Sequence, residues 1–500
     1  MKIETIHLEN FRCFKGYDIE FGKKITVFIG KNGTGKTNLI HAMKKGLSFM
    51  FSKSQNHKKT LSQSNNCNVR AFNLWDARYD EMERAFCFPV QIDFTAKFKA
   101  QTIEWSFYKK QDPGSLYLTK YRDALNIILD QYNKNSNTIE EIPVLAYFSD
   151  SYPHIMSNLG TRSSKIAKMD ILPRDFGYYG WDEDTSCAEL WQRRFIKVSN
   201  SIKDIKDIQD EVSNTEEQIE LLDALIYNKD EIDRHQVPEW ESKKEYLSEK
   251  LVRLKKQVDA KFKNNEFVRE REFIENKIIQ FTAPLREEMN FINSEFQVNG
   301  ISVNRPDRES FSIEFSFNKK SMHFEILPQG YKRLFSIVFD IAYRGYIINP
   351  GKEPNGIVII DEIELHLHPS LQQEVIARFQ KAFPEIQFIV SSHSPLVISN
   401  LKADGVDNKI IRLENTGTDY TKENIENIFG IDYTTNLIEV MESDYRSSTI
   451  DKLINAYLVL FGRKKEAEAK LILQKLKDYL GGDIPTLLQR EIENQKKAYL

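Results

Sequence analysis

Eight consecutive residues, Gly30-Lys31-Asn32-Gly33-Thr34-Gly35-Lys36-Thr37, satisfy the spacing GxxxxGK[ST]. Glycines at these positions let backbone N–H groups turn inward around phosphate oxygens. Lys36 can then reach the β- and γ-phosphates, and the Thr37 hydroxyl can ligate magnesium. Asn38 follows directly and is counted with the loop as a nucleotide-binding position. Taken alone, the octapeptide could be a glycine-rich turn. Its setting favours the phosphate loop, because it leaves an apolar strand at 25–29 and enters a helix beginning at Lys36. ATP with Mg2+ is the expected ligand. A second group of residues suits the same chemistry. The apolar run 357–360 ends in Asp361-Glu362, where one carboxylate can hold the magnesium shell and the next can orient an attacking water. His393, within Ser391-Ser392-His393-Ser394-Pro395, ends the following strand. A histidine there is either structural or a γ-phosphate contact. The second reading is favoured by three strand ends presenting Lys36, Glu362 and His393 along the carboxyl edge of one sheet.

The elements that must place these groups are written in two pieces. Short strands are expected at 3–9, 17–21 and 25–29, then a helix to about residue 50, a polar and mobile surface loop at 52–68, and strands at 88–98, 102–108 and 143–148. From 196 to 292 the chain has no glycine and only Pro238 and Pro284, with dense charge. Ile205, Ile208, Val212, Thr215, Ile219, Leu222 and Ile226 fall on heptad spacing. Leu247, Leu251, Leu254 and Val258 repeat it beyond an interruption at 228–238. This pattern predicts an antiparallel coiled-coil hairpin with arms projecting roughly 40 Å, or alternatively a pair of core-packed helices. Strands return at 296–303, 311–317, 322–327, 356–360 and 387–390. The tail from about Glu423 reads as helical, with one apolar face through Ile454, Tyr457 and Leu458 and another through Leu471, Leu476 and Tyr479, stopped by Gly481-Gly482.

With 41% hydrophobic and 29% charged residues and a formal net charge of −3, the chain reads as soluble and globular, with no general attraction to nucleic acid or membrane. The four cysteines (Cys13, Cys67, Cys87 and Cys187) are widely separated, without a CxxC pair, which fits a reducing cytosol rather than a disulfide or zinc framework. The charged start Met1-Lys2-Ile3-Glu4 is unlike a signal peptide, and Asp340 and Arg344 interrupt the most apolar stretch. A cytoplasmic protein without a membrane span is expected.

Five segments together resemble the RecF/SMC/OLD branch of ABC ATPases: Ile6-x-Leu8-x-Asn10-Phe11-Arg12-x-Phe14, the phosphate loop, Leu327-Pro328-Gln329-Gly330-Tyr331-Lys332, the block from Asp361 through His366, His368 and Pro369, and Ser392-His393-Ser394-Pro395. The resemblance implies an α/β ABC ATPase head, a mixed sheet flanked by helices and assembled from two segments, with an inserted antiparallel coiled-coil hairpin and a helical C-terminal tail. The divisions fall at 1–195, 196–293, 294–415 and 416–500. It also implies a homodimer that sandwiches ATP between two heads, with Gly330 of the signature meeting phosphate across the dimer. In that arrangement Glu362 is the water-orienting base, His393 the switch histidine, and Thr37 and Asp361 the magnesium positions. Arg12 is either a nucleotide contact or a surface contact. His366 and His368 belong to this block rather than to a metal site. Where the branch usually has a serine after the signature leucine, this chain has Pro328. Losing that hydroxyl from the γ-phosphate predicts slow turnover, with ATP as dimer glue and sensor.

After His393 there is neither the DxD of a Toprim domain nor a further histidine for an HNH centre. The segment Pro306-Asp307…Glu314-Phe315-Ser316 lacks the lysine of a PD-(D/E)xK nuclease. The layout resembles the PtuA family, ATPase subunits of Septu-type antiphage systems that include those beside retrons. That resemblance implies a separate effector (an HNH PtuB-like nuclease, or a Toprim-like protein as in PARIS), assembly beyond a dimer, and DNA or retron nucleic acid met through the complex. The tail is either the partner surface or packed on its own head. The competing reading is a RecF/SMC-like clamp acting on DNA in repair or chromosome maintenance, which would favour a basic stripe and a longer coiled coil. A transporter nucleotide subunit is disfavoured by the insertion and the His366–Pro369 block.

Overall fold

The computed structural model describes all residues except 66, 135–138, 153–160, 183–186, 228–235, 263–264, 286–295, 306–310, 319, 418, 427–447 and 498–500. It divides into two compact units, Met1–Phe429 and Gly430–Leu500. In chain order the first unit contains β1 (Lys2–Phe11), β2 (Phe14–Glu20), β3 (Ile25–Ile29), α1 (Lys36–Leu47), β4 (Tyr79–Asp80), β5 (Ala85–Phe86), β6 (Val90–Phe98), β7 (Gln101–Lys109), β8 (Leu116–Thr119), α2 (Tyr121–Asn133), β9 (Val144–Phe148) and α3 (Thr161–Ala167). There follow α4 (Ala188–Tyr227), α5 (Val237–Phe262), α6 (Asn265–Thr282), β10 (Val298–Asn304), β11 (Ser312–Phe317), β12 (Ser321–His323), α7 (Gln329–Ile348), β13 (Gly356–Ile360), α8 (Pro369–Ala382), β14 (Ile386–Ser391), α9 (Pro395–Ser399), β15 (Asn408–Asn415) and β16 (Tyr420–Ile425).

The site-bearing sheet has the order β16-β15-β3-β14-β13-β9. Its inner strands are parallel, and β16 returns antiparallel. β3, β9, β13 and β14 are buried at every position, as their near-continuous apolar runs require of parallel strands covered on both faces. β3 lies between β14 and β15, which come from the far side of the helical insertion, so neither segment could form this sheet alone. A second, antiparallel sheet, β2-β1-β6-β7-β8, is joined to it by buried Gln387. Its amide donates to Ile3 O and Gly22 O (both 2.8 Å) and accepts from Ile3 N–H (2.7 Å), so this buried side chain is hydrogen-bonded at both ends.

Helix α1 sits on the second sheet through a close approach. A Cβ at Gly46 would lie 1.8 Å from the Phe94 ring, which is stacked on Trp105 at 5.0 Å, while Trp105 Nε1 donates to Gly46 O (2.8 Å). The helix that carries the phosphate loop can reach this depth because residue 46 has no side chain. The polar run 52–68, expected as a mobile surface loop, is held at its described residues 61, 64 and 65. Leu61 is buried, the Asn65 amide donates to Leu61 O, and Ser64 N–H donates to Asp175.

The insertion contains the expected antiparallel hairpin, α4 against α5. Thr215, Leu222, Leu247 and Leu254 are buried along its seam, with ion pairs Lys250–Glu211 and Lys255–Glu216 (both 2.7 Å) and Lys244–Asp223 across it. Residues 228–235 of the expected interruption lie outside the described residues, as does the Pro306-Asp307 pair. Helix α4 has 40 residues, about 60 Å long, and begins at Ala188, before the expected boundary at 196. Its root is fastened to α7. Trp191 stacks on Tyr343 (5.4 Å) and donates to Asp340 (3.0 Å), and Arg194 pairs with Glu270 of α6 through both carboxylate oxygens (2.8 and 2.7 Å).

The helical tail expected from 416 starts later. Residues 420–425 form β16, whose polar, mostly exposed sequence Tyr-Thr-Lys-Glu-Asn-Ile is held by backbone pairing with β15 and carries no apolar alternation to announce a strand. The second unit contains α10 (Ser448–Gly462), α11 (Glu466–Leu480) and α12 (Thr486–Lys497), packed around Ile454, Tyr457, Leu458, Leu476 and Ile492. Gly481, in the left-handed region at φ 73°, ends α11.

Gly46→Ala should cost about 1–3 kcal/mol, the usual range for overpacking a closed core. Gly16→Ala, with nothing within 4 Å of its added Cβ, should be neutral. Thermal unfolding of the two variants checks this, and equal behaviour would contradict the seating of α1.

Candidate functional site

β3 delivers its chain into the loop through Gly30 (φ 144°), Gly33 (φ 82°) and Gly35 (φ 93°), conformations that suit glycine. Crowding also excludes side chains. A Cβ at Gly30 would lie 2.3 Å from Leu413 O, and one at Gly35 would lie 2.8 Å from Phe14 Cζ. Thr34 Oγ1 donates to Lys31 O (2.9 Å), closing the turn. Lys36, the first residue of α1, is buried and folds back so that Nζ donates to Gly30 O (2.7 Å) and Lys31 O (2.9 Å). Burial lowers its pKa to about 8, against the opposing pull of Asp361, Glu362 and Glu364. Lys31, Asn32, Gly33 and Thr37 are exposed on the loop surface.

The parallel register brings the second group to the same edge. Ile360 pairs with Val390 and Ser391 with Phe28, so His393 follows the strand next to β3 and Asp361 the strand beyond it. Ser391 joins the ends, its hydroxyl donating to Asp361 Oδ1 and accepting from Glu362 N–H (2.9 Å). Asp361 is buried, and burial raises its pKa. Glu362 sits at φ 49°, an uncommon conformation for a residue with a side chain. Burial, then Asp361 and Glu364, raises its carboxyl pKa. His393 Nε2 lies 3.9 Å from Glu362 Oε1, too far for a hydrogen bond, and the backbone N–H of His393 donates to Glu364 Oε1 (2.5 Å). Burial, then Lys36, lowers the His393 pKa, which favours a neutral imidazole. Lys36, Asp361, Glu362 and His393 are thus brought together.

Gly330 makes its close approach elsewhere. Its missing Cβ would meet the His366 carbonyl at 2.4 Å, which presses the start of α7 against the segment after Glu364. His368 Nδ1 caps α8, accepting from Ser370 N–H (3.4 Å). Arg12 is half-buried beside the loop. Its guanidinium donates to Asp76 (3.1 and 3.2 Å) and to Asn38 Oδ1 (3.2 Å), and Asn38 Nδ2 donates to Cys13 Sγ (3.2 Å). One positioning residue had gone unread in the sequence. Arg333, buried near the start of α7, donates through Nη2 to Asp361 O (2.9 Å) and Glu362 O (3.1 Å), and through Nη1 to Asp150 O and Tyr152 O. Its signal was an arginine among Leu334, Phe335, Ile337 and Val338, a charge that burial obliges to find partners.

The oxygens fit Mg2+. The Thr37 hydroxyl and the Asp361 carboxylate are hard donors, and this ion commonly takes one or two protein oxygens along with water and phosphate. Asp361, held by a single serine hydroxyl and destabilised as an anion by burial, is the group a cation would relieve. Among the described residues no trio of His, Cys, Asp or Glu is arranged to hold a metal alone. None of the described helices is long and apolar enough to cross a membrane.

A family model described as AAA ATPase domain matches residues 1–398. The chain is 25% identical over 527 aligned positions to the retron Ec83 probable ATPase of Escherichia coli, spanning 100% of this chain and 88% of that protein. It is 27% identical over 188 positions to the Septu protein PtuA of Bacillus thuringiensis, 32% of this chain and 47% of the relative. The Smc head domain of Pyrococcus furiosus, solved with an extended coiled coil and bound to the C-terminal domain of ScpA, aligns with 85% of this chain and 96% of its own at 16% identity and a TM-score of 0.42.

With a pKa of about 8, Lys36 is largely neutral at pH 9, and a bound polyphosphate favours its charged form. Nucleotide binding should therefore take up a fraction of a proton at pH 9 that it does not take up at pH 7. Calorimetric titration in buffers of different ionisation enthalpy measures this, and equal proton uptake at the two pH values would contradict it.

Proposed function

This chain belongs to the AAA ATPase domain family, and from that premise we propose that it is the ATPase subunit of a cytoplasmic antiphage defence complex. It binds ATP with Mg2+, closes with a second copy around the nucleotide, and controls a separate nuclease or other effector. The observation that carries the ATP reading is the convergence of Lys36, Asp361, Glu362 and His393 at the carboxyl edge of one sheet. The defence reading is supported by a relative, aligned along the whole of this chain, that is named as a retron probable ATPase, and by the likeness to PtuA.

In this reading Lys36 and the loop N–H groups hold the β- and γ-phosphates, while Thr37 and Asp361 supply protein oxygens to magnesium, which would neutralise phosphate charge. Glu362, whose carboxyl pKa is raised by burial and neighbouring acids, orients the attacking water from its backbone position fixed by Arg333 and Ser391. His393 approaches the γ-phosphate. Gly330 of the second copy completes the site. Pro328 stands as the N-cap of α7 with no side-chain hydrogen bond to offer, which supports slow hydrolysis in a reaction whose catalysis is mostly positioning. The division into two head lobes, hairpin and tail is retained, with the second lobe extended to the end of β16 and the unit 430–500 as the effector-binding part. The hairpin lysines Lys244, Lys250 and Lys255 are engaged across the seam, which favours a defence ATPase over a DNA clamp that would read duplex along those arms.

Lys36→Ala should abolish ATP binding, as equilibrium dialysis would show. Glu362→Gln should bind ATP and accumulate as a closed dimer in light scattering, whereas normal hydrolysis by this variant would remove Glu362 as the base. Turnover by the isolated wild-type chain should stay well below the order of tens per second reached by active phosphoryl-transfer enzymes. Affinity purification from the host should recover an HNH or Toprim-like protein, and recovery of replication or repair factors would overturn the defence reading.

A further inference from the structure

The phosphate loop does not by itself fix where the base of the nucleotide lies. The γ-phosphate end faces Glu362 and His393 across Lys36, which leaves the rest of the nucleotide the side occupied by Asn38 and Arg12. On that side an open cleft of about 810 Å3 begins at Asn38, the residue after the loop. Its lining combines Arg12, Cys13 and Asn38, already joined by hydrogen bonds, with Trp75, Tyr79 and Phe86, and Ala77 and Glu81 complete it.

The aromatic part of the lining is fastened to the helix that carries the loop. Asp76, fully buried, accepts from Arg12 and pairs with Lys45 of α1 (2.9 Å), and it closes a capping box with Asn73 around Trp75. Backbone bonds from Arg12 N–H to Asp76 O (2.8 Å) and from Arg78 N–H to Asn10 O (2.9 Å) hold the same segment to β1. With the backbone held this firmly, the rings nevertheless face solvent. Trp75 is 76% exposed and Tyr79 48% exposed. Phe86 meets both rings edge-on, Trp75 at 5.7 Å and 84°, Tyr79 at 5.3 Å and 67°. Edge-on bracing orients the rings and leaves a face free for a flat ligand, and stacking on such a platform is a strong, geometry-dependent contribution to base binding.

We propose that Trp75, braced by Phe86 and Tyr79, is the platform on which the adenine ring of bound ATP stacks. This rests on the ATP reading above and adds its base subsite. The cleft is lined by Asn38, the residue that follows the phosphate loop, and by Arg12, which is hydrogen-bonded to Asn38, and three of its other lining residues are aromatic. The loop and the platform then divide recognition between them, the loop taking the triphosphate and the platform the base.

The test compares ATP with inorganic tripolyphosphate, both with Mg2+, on the full chain as wild type, Trp75→Ala and Trp75→Phe. Trp75→Ala should weaken ATP binding about tenfold and leave tripolyphosphate binding unchanged, and Trp75→Phe should recover most of the loss. ATP should also quench a part of the tryptophan emission that disappears in Trp75→Phe. Unchanged ATP affinity in Trp75→Ala with no Trp75-dependent quench would overturn the platform while leaving the ATP reading intact. Equal loss of both ligands would also overturn it. Failure of the wild-type chain to bind either ligand would remove the ATP reading and the platform together.

Discussion

A buried ammonium group faces one buried and two half-buried carboxylates at one sheet edge, and the rest of the head is arranged to keep them there. Lys36 is withdrawn from solvent, tied to two carbonyls of its own loop, within the field of Asp361, Glu362 and Glu364. Neither sign would be stable there alone, since an unpaired buried charge is costly. Both are shifted toward neutrality by burial, Lys36 downward and Asp361 upward, which is the state of a site prepared for a polyanion and a cation to arrive together. The parallel register of β3, β14 and β13 sets their separation, so the geometry follows from backbone pairing rather than from flexible side chains.

Helix α7 is the second determinant. At its start Gly330 presses on the His366 carbonyl and Arg333 holds the carbonyls of Asp361 and Glu362. Farther along, Asp340 and Tyr343 receive Trp191 at the root of the hairpin. Nearly every residue of this helix is buried, so the end of β13 and the base of the hairpin are fixed by one packed element.

The parts legible in the sequence were those whose backbone conformation restricts the residue type. Gly30, Gly33 and Gly35 adopt positive φ, and the apolar runs before Asp361 and Ser391 are strands buried at every position, as their composition suggested. The hairpin seam was legible because its heptads are local. Gln387, whose partner Ile3 is 384 residues away, and Arg333, bonded across the sheet edge to Asp150, gave no local sign of those pairings. The need for glycine at residue 46 comes from Phe94, a neighbour far along the chain, and β16 is a strand by pairing alone. Arg12 belonged to a recognised segment, yet its tie to buried Asp76 depended on a loop that no periodicity describes.

The most direct measurement of the central claim is a high-resolution structure of the Glu362→Gln chain with ATP and Mg2+. The account predicts the γ-phosphate at Lys36 Nζ, the metal between Thr37 and Asp361, and Gly330 of a second copy closing over the phosphates. Nucleotide bound away from Lys36, or held by a single head with Gly330 of the second copy far from it, would contradict the account.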